Sequence, residues 1–283
     1  MKIAISAEST IDMPKELLEK FDIHTVPFTI LLGDNARLDG EIKPQEIFDY
    51  VYETKVLPKT SAVNEFQFEE HFKKLLENYD AIIHLSISKT MSSAYDNACR
   101  VAKELKNVYV IDSMSLSTGI ALQAIYAKKL ADKDYNVEEI VEKVKKRIPY
   151  DQASFILSRL DYLYKGGRCS ALALIGANIL RLRPQIIVKN GKMEPHKKFR
   201  GNYSTNVIKY VDATLEEFNN PDKENIFITY SSASKETVNE VHKILEEKGF
   251  KNIYVTTAGG TVSSHCGEHC LGILYFNDGE QND

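Results

Sequence analysis

Little in this 283-residue sequence marks a special environment. Its four cysteines, Cys99, Cys169, Cys266 and Cys270, are too few and too scattered for a disulfide framework in a chain of this length. No apolar run approaches the ~20 residues that cross a bilayer. The opening Met-Lys-Ile-Ala-Ile-Ser reads as a short strand and not as a signal peptide. A formal net charge of −4 favours neither nucleic acid nor an acidic membrane. Also missing are a Gly-x-Ser-x-Gly elbow, a phosphate-binding P-loop, a Gly-x-Gly dinucleotide turn, a Ser-His-Asp spacing and a close carboxylate pair. These absences argue against the common enzyme classes and leave the cytoplasm as the expected location.

What is present is an α/β pattern. Hydrophobic residues at 43% and charged residues at 27% suit a globular chain of one large or two ordinary domains. Strands are expected at Lys2 to Ala7, Ile23 to Leu32, Ala81 to Leu85 and Val108 to Asp112. Helices are expected from Pro14 to Phe21, Lys43 to Glu53, Glu65 to Asn78, Ser92 to Leu105, Ile120 to Ala131 and Val137 to Arg147. Strands alternating with helices at this spacing predict right-handed crossovers and a parallel sheet. Pro149 breaks the pattern and divides the chain into residues 1–150 and 151–283. The second part restarts with a strand at Ala153 to Leu157 and a short helix from Arg159 to Tyr164, closed by Lys165-Gly166-Gly167-Arg168. A further helix is expected at Ala171 to Ile179. Gln185 to Lys189 and Lys192 to Phe199 form a hairpin about Asn190-Gly191. A helix from Tyr203 to Phe218 leads to one more strand–helix–strand unit, from Ile226 to Thr257. Leu271 to Phe276 is a last strand, before an acidic, frayed tail.

Several strands end in turns rich in Ser, Thr and Gly. The run from Ile82 to Ala98 passes from a buried strand through Ser86, Ser88, Thr90, Ser92 and Ser93 into a helix N-terminus, where free N–H groups and the dipole favour an anion. Thr60, Ser61, Ser92, Ser93, Ser113, Ser115, Ser263 and Ser264 are neutral donors, and Arg168 and His265 are cationic or switchable ones. In open α/β sheets ligands collect at strand C-termini, so these turns suggest one shared site. A carboxylate suits such donors, because it only accepts. A second reading centres on His265, Cys266, His269 and Cys270. Pairs four apart would share a helix face and could hold zinc, although no tight Cys-x-x-Cys pair is present. A small-molecule enzyme using His265 or Cys266 is a third.

In this order the pieces resemble the DegV family of bacterial fatty-acid-binding proteins. Glu8-Ser9-Thr10 with Asp12 and Pro14 is similar to its Asp-Ser-Thr signature, and Lys59-Thr60-Ser61 to its Thr-Ser motif. Ser92-Ser93-Ala94-Tyr95 is similar to its Ser-Gly-Thr-Tyr turn, and Val110-Ile111-Asp112-Ser113 to its Ile-Asp-Ser strand end. Leu163-Tyr164-Lys165-Gly166-Gly167-Arg168 and His265-Cys266-Gly267 complete the series. Glu8 stands where the family has Asp, Ser93-Ala94 where it has Gly-Thr, and Glu268-His269 where it has Pro-Gly.

The resemblance implies two α/β domains, an N-terminal parallel sheet with flanking helices and a C-terminal mixed-sheet domain, with a long-chain fatty acid between them. It implies no catalysis, no cofactor and no metal. Thr60 and Ser92, with Ser61 and Ser93 beside them, would hold the fatty acid carboxylate, and Arg168 and His265 would complete the network. It further implies a partner fatty acid kinase subunit, with Arg200 as a docking residue, and transient contact with membranes.

Overall fold

Three sheets organise the chain. The computed structural model describes residues 1–169 and 182–279. The helix expected at Ala171 to Ile179 lies outside them. In chain order the first elements are β1 (Ile3–Glu8), a 3₁₀ turn (Ser9–Ile11), α1 (Lys15–Lys20), β2 (Ile23–Val26), β3 (Thr29–Leu32), β4 (Asn35–Leu38), α2 (Pro44–Thr54), β5 (Lys59–Ser61), α3 (Glu65–Leu76), β6 (Ala81–Ser86), α4 (Ala94–Glu104), β7 (Val108–Asp112), α5 (Thr118–Ala131) and α6 (Val137–Arg147). A 3₁₀ turn holding Pro149 leads into β8 (Asp151–Leu157) and α7 (Asp161–Lys165). Then follow β9 (Leu182–Lys189), β10 (Lys192–Arg200), α8 (Tyr203–Glu217), β11 (Asn225–Tyr230), α9 (Lys235–Glu247), β12 (Asn252–Thr257), α10 (Gly260–Cys266) and β13 (Cys270–Phe276).

The order β2-β1-β6-β7 is parallel throughout, as the alternating pattern predicts. The order β10-β9-β8-β13-β11-β12 is mixed: only β11 and β12 run parallel, joined through α9. A small antiparallel sheet, β4-β3-β5, hangs beside the first. Helix α5 is buried on nearly every side. It packs on β1 and β6 of the parallel sheet and on β8, β11 and β13 of the mixed one, which is why its sequence is apolar all round. One continuous core therefore runs from Ile5 and Ile83 through Ile120 and Ala124 to Phe155 and Leu274. A second cluster packs α8 and α9 on the outer face of the mixed sheet, through Val207, Tyr210, Val241 and Leu245.

The structure corrects the sequence reading at five places. Ile23 to Leu32 is two strands, because Pro27 cannot donate to a ladder: β2 pairs with β1, and β3 turns away to pair with β4 and β5. The expected turn from Gly33 to Gly40 contains β4, and the expected loop from Leu57 to Asn64 contains β5. The turn starting at Gly259 is helix α10. The tail is anchored as far as Gly279, whose N–H donates to the Asn220 carbonyl at 2.8 Å. The hairpin forms as expected. Asn190 (φ 51°) and Gly191 (φ 77°) both take left-handed angles, the signature of a tight two-residue turn. Its tip reaches the other half of the chain, where the Gly191 carbonyl accepts from the Ser88 hydroxyl at 2.7 Å and from Thr90. Among the described residues no helix is long and apolar enough to cross a membrane.

Candidate functional site

Four segments far apart in sequence close around one cavity of about 280 Å³. The edge strand β5 brings Thr60 and Ser61, and the β6–α4 turn brings Ile87, Met91, Ser92 and Ser93. The end of α7 brings Leu163 and Arg168, and α10 brings Thr261, Val262, His265 and Cys266. Thr60, Ser61, Ser92, Ser93, Arg168 and His265, the six residues singled out from sequence, thus share one space. Thr60 is set by the register of β5 on β3, opposite Ile30. Its hydroxyl lies 2.9 Å from His265 Nε2, a contact across 205 residues of sequence. Ser92 Oγ accepts from the Ala94 N–H at 3.2 Å at the start of α4, which leaves its own O–H to donate.

Arg168 donates to the Gly166 carbonyl at 2.7 Å and the Met91 carbonyl at 3.3 Å, and it forms no ion pair among the described residues. Among the described residues that line the cavity, Arg168 is the one charged side chain, and no Asp or Glu is with it. Burial, helped by the charge of Arg168, pushes the His265 imidazole down to about 4. His265 is therefore neutral at pH 7. The lining offers hydroxyls, a neutral imidazole and a guanidinium: donors for an acceptor-only, negatively charged head. The opposite wall is apolar, with Phe28, Ile87, Leu116 and Met193. Behind Leu116, Val262 and Cys266 a further space of about 30 Å³ continues toward Phe155, Gly272 and Leu274 of the mixed sheet.

The β6–α4 turn is held from behind by Glu8, which is fully buried. Its Oε2 accepts from the Ile87 N–H at 2.9 Å and its Oε1 from the Ser86 hydroxyl at 2.6 Å. The longer carboxylate at position 8 thus has a full set of partners, including the His84 ring at 3.3 Å.

Other expected donors do not reach the cavity. Ser113 and Ser115 bond within their own turn, and Ser263 and Ser264 donate to the Ala258 and Gly260 carbonyls. Arg200 lies exposed at the outer end of β10, seven residues from the cavity-lining Met193, or ~23 Å along the strand. The His/Cys quartet does not share a helix face. Helix α10 ends at Cys266, the chain turns at Gly267 (φ 72°), and His269 (φ 53°) sits against Tyr203 with ring centroids 5.5 Å apart. Among the described residues no group of three His, Cys, Asp or Glu could hold a metal. Sequence reasoning missed the apolar wall of Leu116, Val262 and Met193, which lie in the turn before α5, in the short helix α10 and on the hairpin, where no periodicity marks them.

Buried titratable groups around the site set a pH profile. Burial lifts the Asp12 carboxyl to about 8 and the Asp151 carboxyl to about 6, and lowers His71 to about 3 and His265 to about 4. A raised carboxyl holds its proton in the folded state where the unfolded chain has lost it, so its contribution falls as pH rises. A depressed imidazole is neutral where the unfolded chain is protonated, so its contribution grows with pH up to about 6.5. The two pairs oppose each other between about pH 4 and 6.5. Above that Asp12 acts alone. Urea unfolding is expected to show stability declining from pH 6.5 to 8 with a limiting slope of about 1.4 kcal/mol per unit. Asp12→Asn should remove that slope; a slope that survives the substitution refutes the assignment.

Together these features define an α/β protein with a cavity open at hydroxyl-bearing turns, closed by apolar walls and carrying one cation. The chain belongs to the DegV family, described as uncharacterised proteins, whose model matches residues 2–278. A protein of Thermotoga maritima named fatty acid-binding protein is 31% identical over 224 residues, covering 77% of this chain and 76% of that one. A DegV domain-containing protein of Clostridium acetobutylicum is 28% identical, covering 97% of this chain and 98% of its own length. Among solved structures, one described as fatty acid binding of a DegV family protein from Thermus thermophilus superposes with a TM-score of 0.90 at 24% identity, covering 98% and 99% of the two chains. A DegV lipid-binding protein from Thermotoga maritima superposes with a TM-score of 0.84 at 27% identity, covering 98% of each chain.

Proposed function

We propose that this protein binds one long-chain fatty acid, with its carboxylate at Thr60, Ser61, Ser92, Ser93, Arg168 and His265 and its tail in the apolar space behind them. The observation that carries this reading is the lining itself: among the described residues, one cation, no carboxylate, a rim of hydroxyls and an apolar wall. The relative named fatty acid-binding protein and the structure named a lipid-binding protein support the same class of ligand. Burying a sixteen-carbon tail at ~0.8 kcal/mol per methylene gives roughly 10–12 kcal/mol before the cost of association. The tail therefore supplies affinity, and the hydroxyls and Arg168 supply orientation. A carboxylate drawn in without partners would cost several kcal/mol, which explains why donors gather only at one end.

Two lobes frame the ligand, residues 1–150 with the parallel sheet and 151–283 with the mixed one, and α5 and α10 lie at their junction. The protein makes no bond itself. It shields the tail and offers the head to a partner, for which a fatty acid kinase subunit is the fitting chemistry. Transient contact with a membrane would supply the acid. Arg200, well away from the cavity, serves docking and not the ligand.

Native mass spectrometry of the purified protein is expected to show the added mass of a fatty acid. Thr60→Ala with Ser92→Ala should weaken binding about tenfold, the loss of one or two hydrogen bonds to a charged group. Arg200→Ala should leave binding unchanged and weaken phosphorylation of the bound acid by the kinase. No bound acid in the wild-type protein, and no uptake of added oleate, would overturn the proposal.

A further inference from the structure

Helix α10 carries His265 into the cavity, yet its position is fixed from the other half of the chain. It follows β12 of the mixed sheet, but it packs against α2, β3, β5 and the 3₁₀ turn at Ser9–Ile11, as well as against α7. Its leading N–H groups are taken by two acidic side chains from the N-terminal half. Asp39 Oδ1 accepts from the Gly260 N–H at 2.8 Å and Oδ2 from the Thr261 N–H at 3.2 Å. Asp12 Oδ1 accepts from the Gly259 N–H at 2.7 Å. Both side chains are buried, and each is braced in turn. The Ser9 hydroxyl donates to Asp39 at 3.0 Å while accepting from the Phe28 N–H, and the Ser117 hydroxyl donates to Asp12.

The two glycines are what this approach demands. A Cβ on Gly260 would lie 2.3 Å from Ile30 Cδ1 and 2.9 Å from Ile42 Cγ2, and one on Gly259 would lie 3.0 Å from Asp12 Oδ1. Asp12 (φ 54°) and Ser117 (φ 52°) are both held at left-handed angles that non-glycine residues rarely take. Backbone held there by surrounding contacts collects at ligand sites. The clamp therefore combines two tight glycine contacts, two strained residues and three N–H bonds on one turn.

We propose that Asp39, seconded by Asp12, is a positioning residue for the ligand site: it seats the first turn of α10 on the N-terminal half, so that His265 meets Thr60 and Val262 faces the acyl space. The carboxylates touch no ligand. They act through α10, and they join the two halves at a place where both contribute to the head-group rim. This assignment rests on the fatty-acid reading only for its affinity arm.

The test uses the full chain with and without added oleate. In ligand-free protein, the His265 ring titrates near 4 when α10 is seated; NMR of the imidazole is expected to show it moving toward its ordinary value of about 6.5 in Asp39→Ala. Oleate affinity should fall about tenfold in the same variant, the effect of losing hydrogen bonds to a charged group. Asp39→Asn keeps the shape and one acceptor, so it should fold and fall between the two. Leu245→Ala, in the α8–α9 cluster, lowers stability without touching α10 and should move neither readout. If His265 in Asp39→Ala or Asp39→Asn titrates as in the wild type, the positioning role is wrong whatever the affinity does. If wild-type protein binds no oleate but the titration shifts as expected, the clamp stands and the fatty-acid reading falls.

Discussion

Replacing Val262 with tryptophan is expected to abolish binding of long acyl chains while leaving the protein folded. Val262 is partly exposed, and its side chain lines both the main cavity and the small space behind it. An indole there would fill the passage at the level of Leu116 and Cys266. A tail stopped at that point leaves about six methylenes in water, a loss of ~5 kcal/mol or several thousandfold in Kd. The head-group residues stay in place, so an eight-carbon acid should bind nearly as it does to the wild type. Displacement of a fluorescent fatty acid by acids of graded length measures both. Equal loss for short and long acids would mean that the substitution disturbs the rim and not the passage. Undiminished binding of long acids would mean that the tail runs elsewhere.

The largest effect on stability is expected at Arg147. Its side chain is 7% exposed, at the end of α6, with the guanidinium 4.7 Å from the Tyr126 ring and 4.0 Å from the Phe276 ring. It donates to Asp278 at 2.8 and 3.0 Å and also to Asp222. The Asp222 N–H in turn donates to the Phe276 carbonyl at 2.7 Å. Arg147→Ala would strand two buried carboxylates beside each other and open a gap between two rings. Breaking such a group typically costs about 3–5 kcal/mol, which for a chain of this length lowers Tm by about 7 °C. Much of that cost is the loss of the cation between two buried carboxylates. Arg147→Met combined with Asp222→Asn and Asp278→Asn should therefore recover most of the loss in a thermal melt. A triple variant no more stable than Arg147→Ala would show that packing against Tyr126 and Phe276, and not charge, is what Arg147 supplies.

These residues also show which parts of the fold the sequence discloses. Parallel strands and their helices announce themselves through periodicity, and Asn190-Gly191 through turn chemistry. The six rim residues were legible because hydroxyl-bearing turns follow buried strands, and because the order of short motifs matched a known family. What stayed hidden depends on partners distant in sequence. Strand β4 is exposed and polar, so no alternation marks it. Strand β5 has three residues, and only its pairing with β3 makes it a strand. Helix α10 lacks a local cap; its first turn is satisfied by Asp39 and Asp12, more than two hundred residues upstream. The Gly259-Gly260 pair reads in sequence as the start of a glycine- and hydroxyl-rich turn, not of a helix. Its missing side chains make room for those acidic groups.

The seating of α10 also has a consequence for synthesis. Residues 12, 39 and 60 are made well before the helix they receive, which begins two hundred residues later, at Gly260. Until then the buried carboxylates face no amide, and the hydroxyl at position 60 has no ring to meet. Pairings this distant close slowly, because so much chain must be ordered first. The parallel sheet, built from residues 3–112, can therefore form before the cavity wall that α10 supplies is in place.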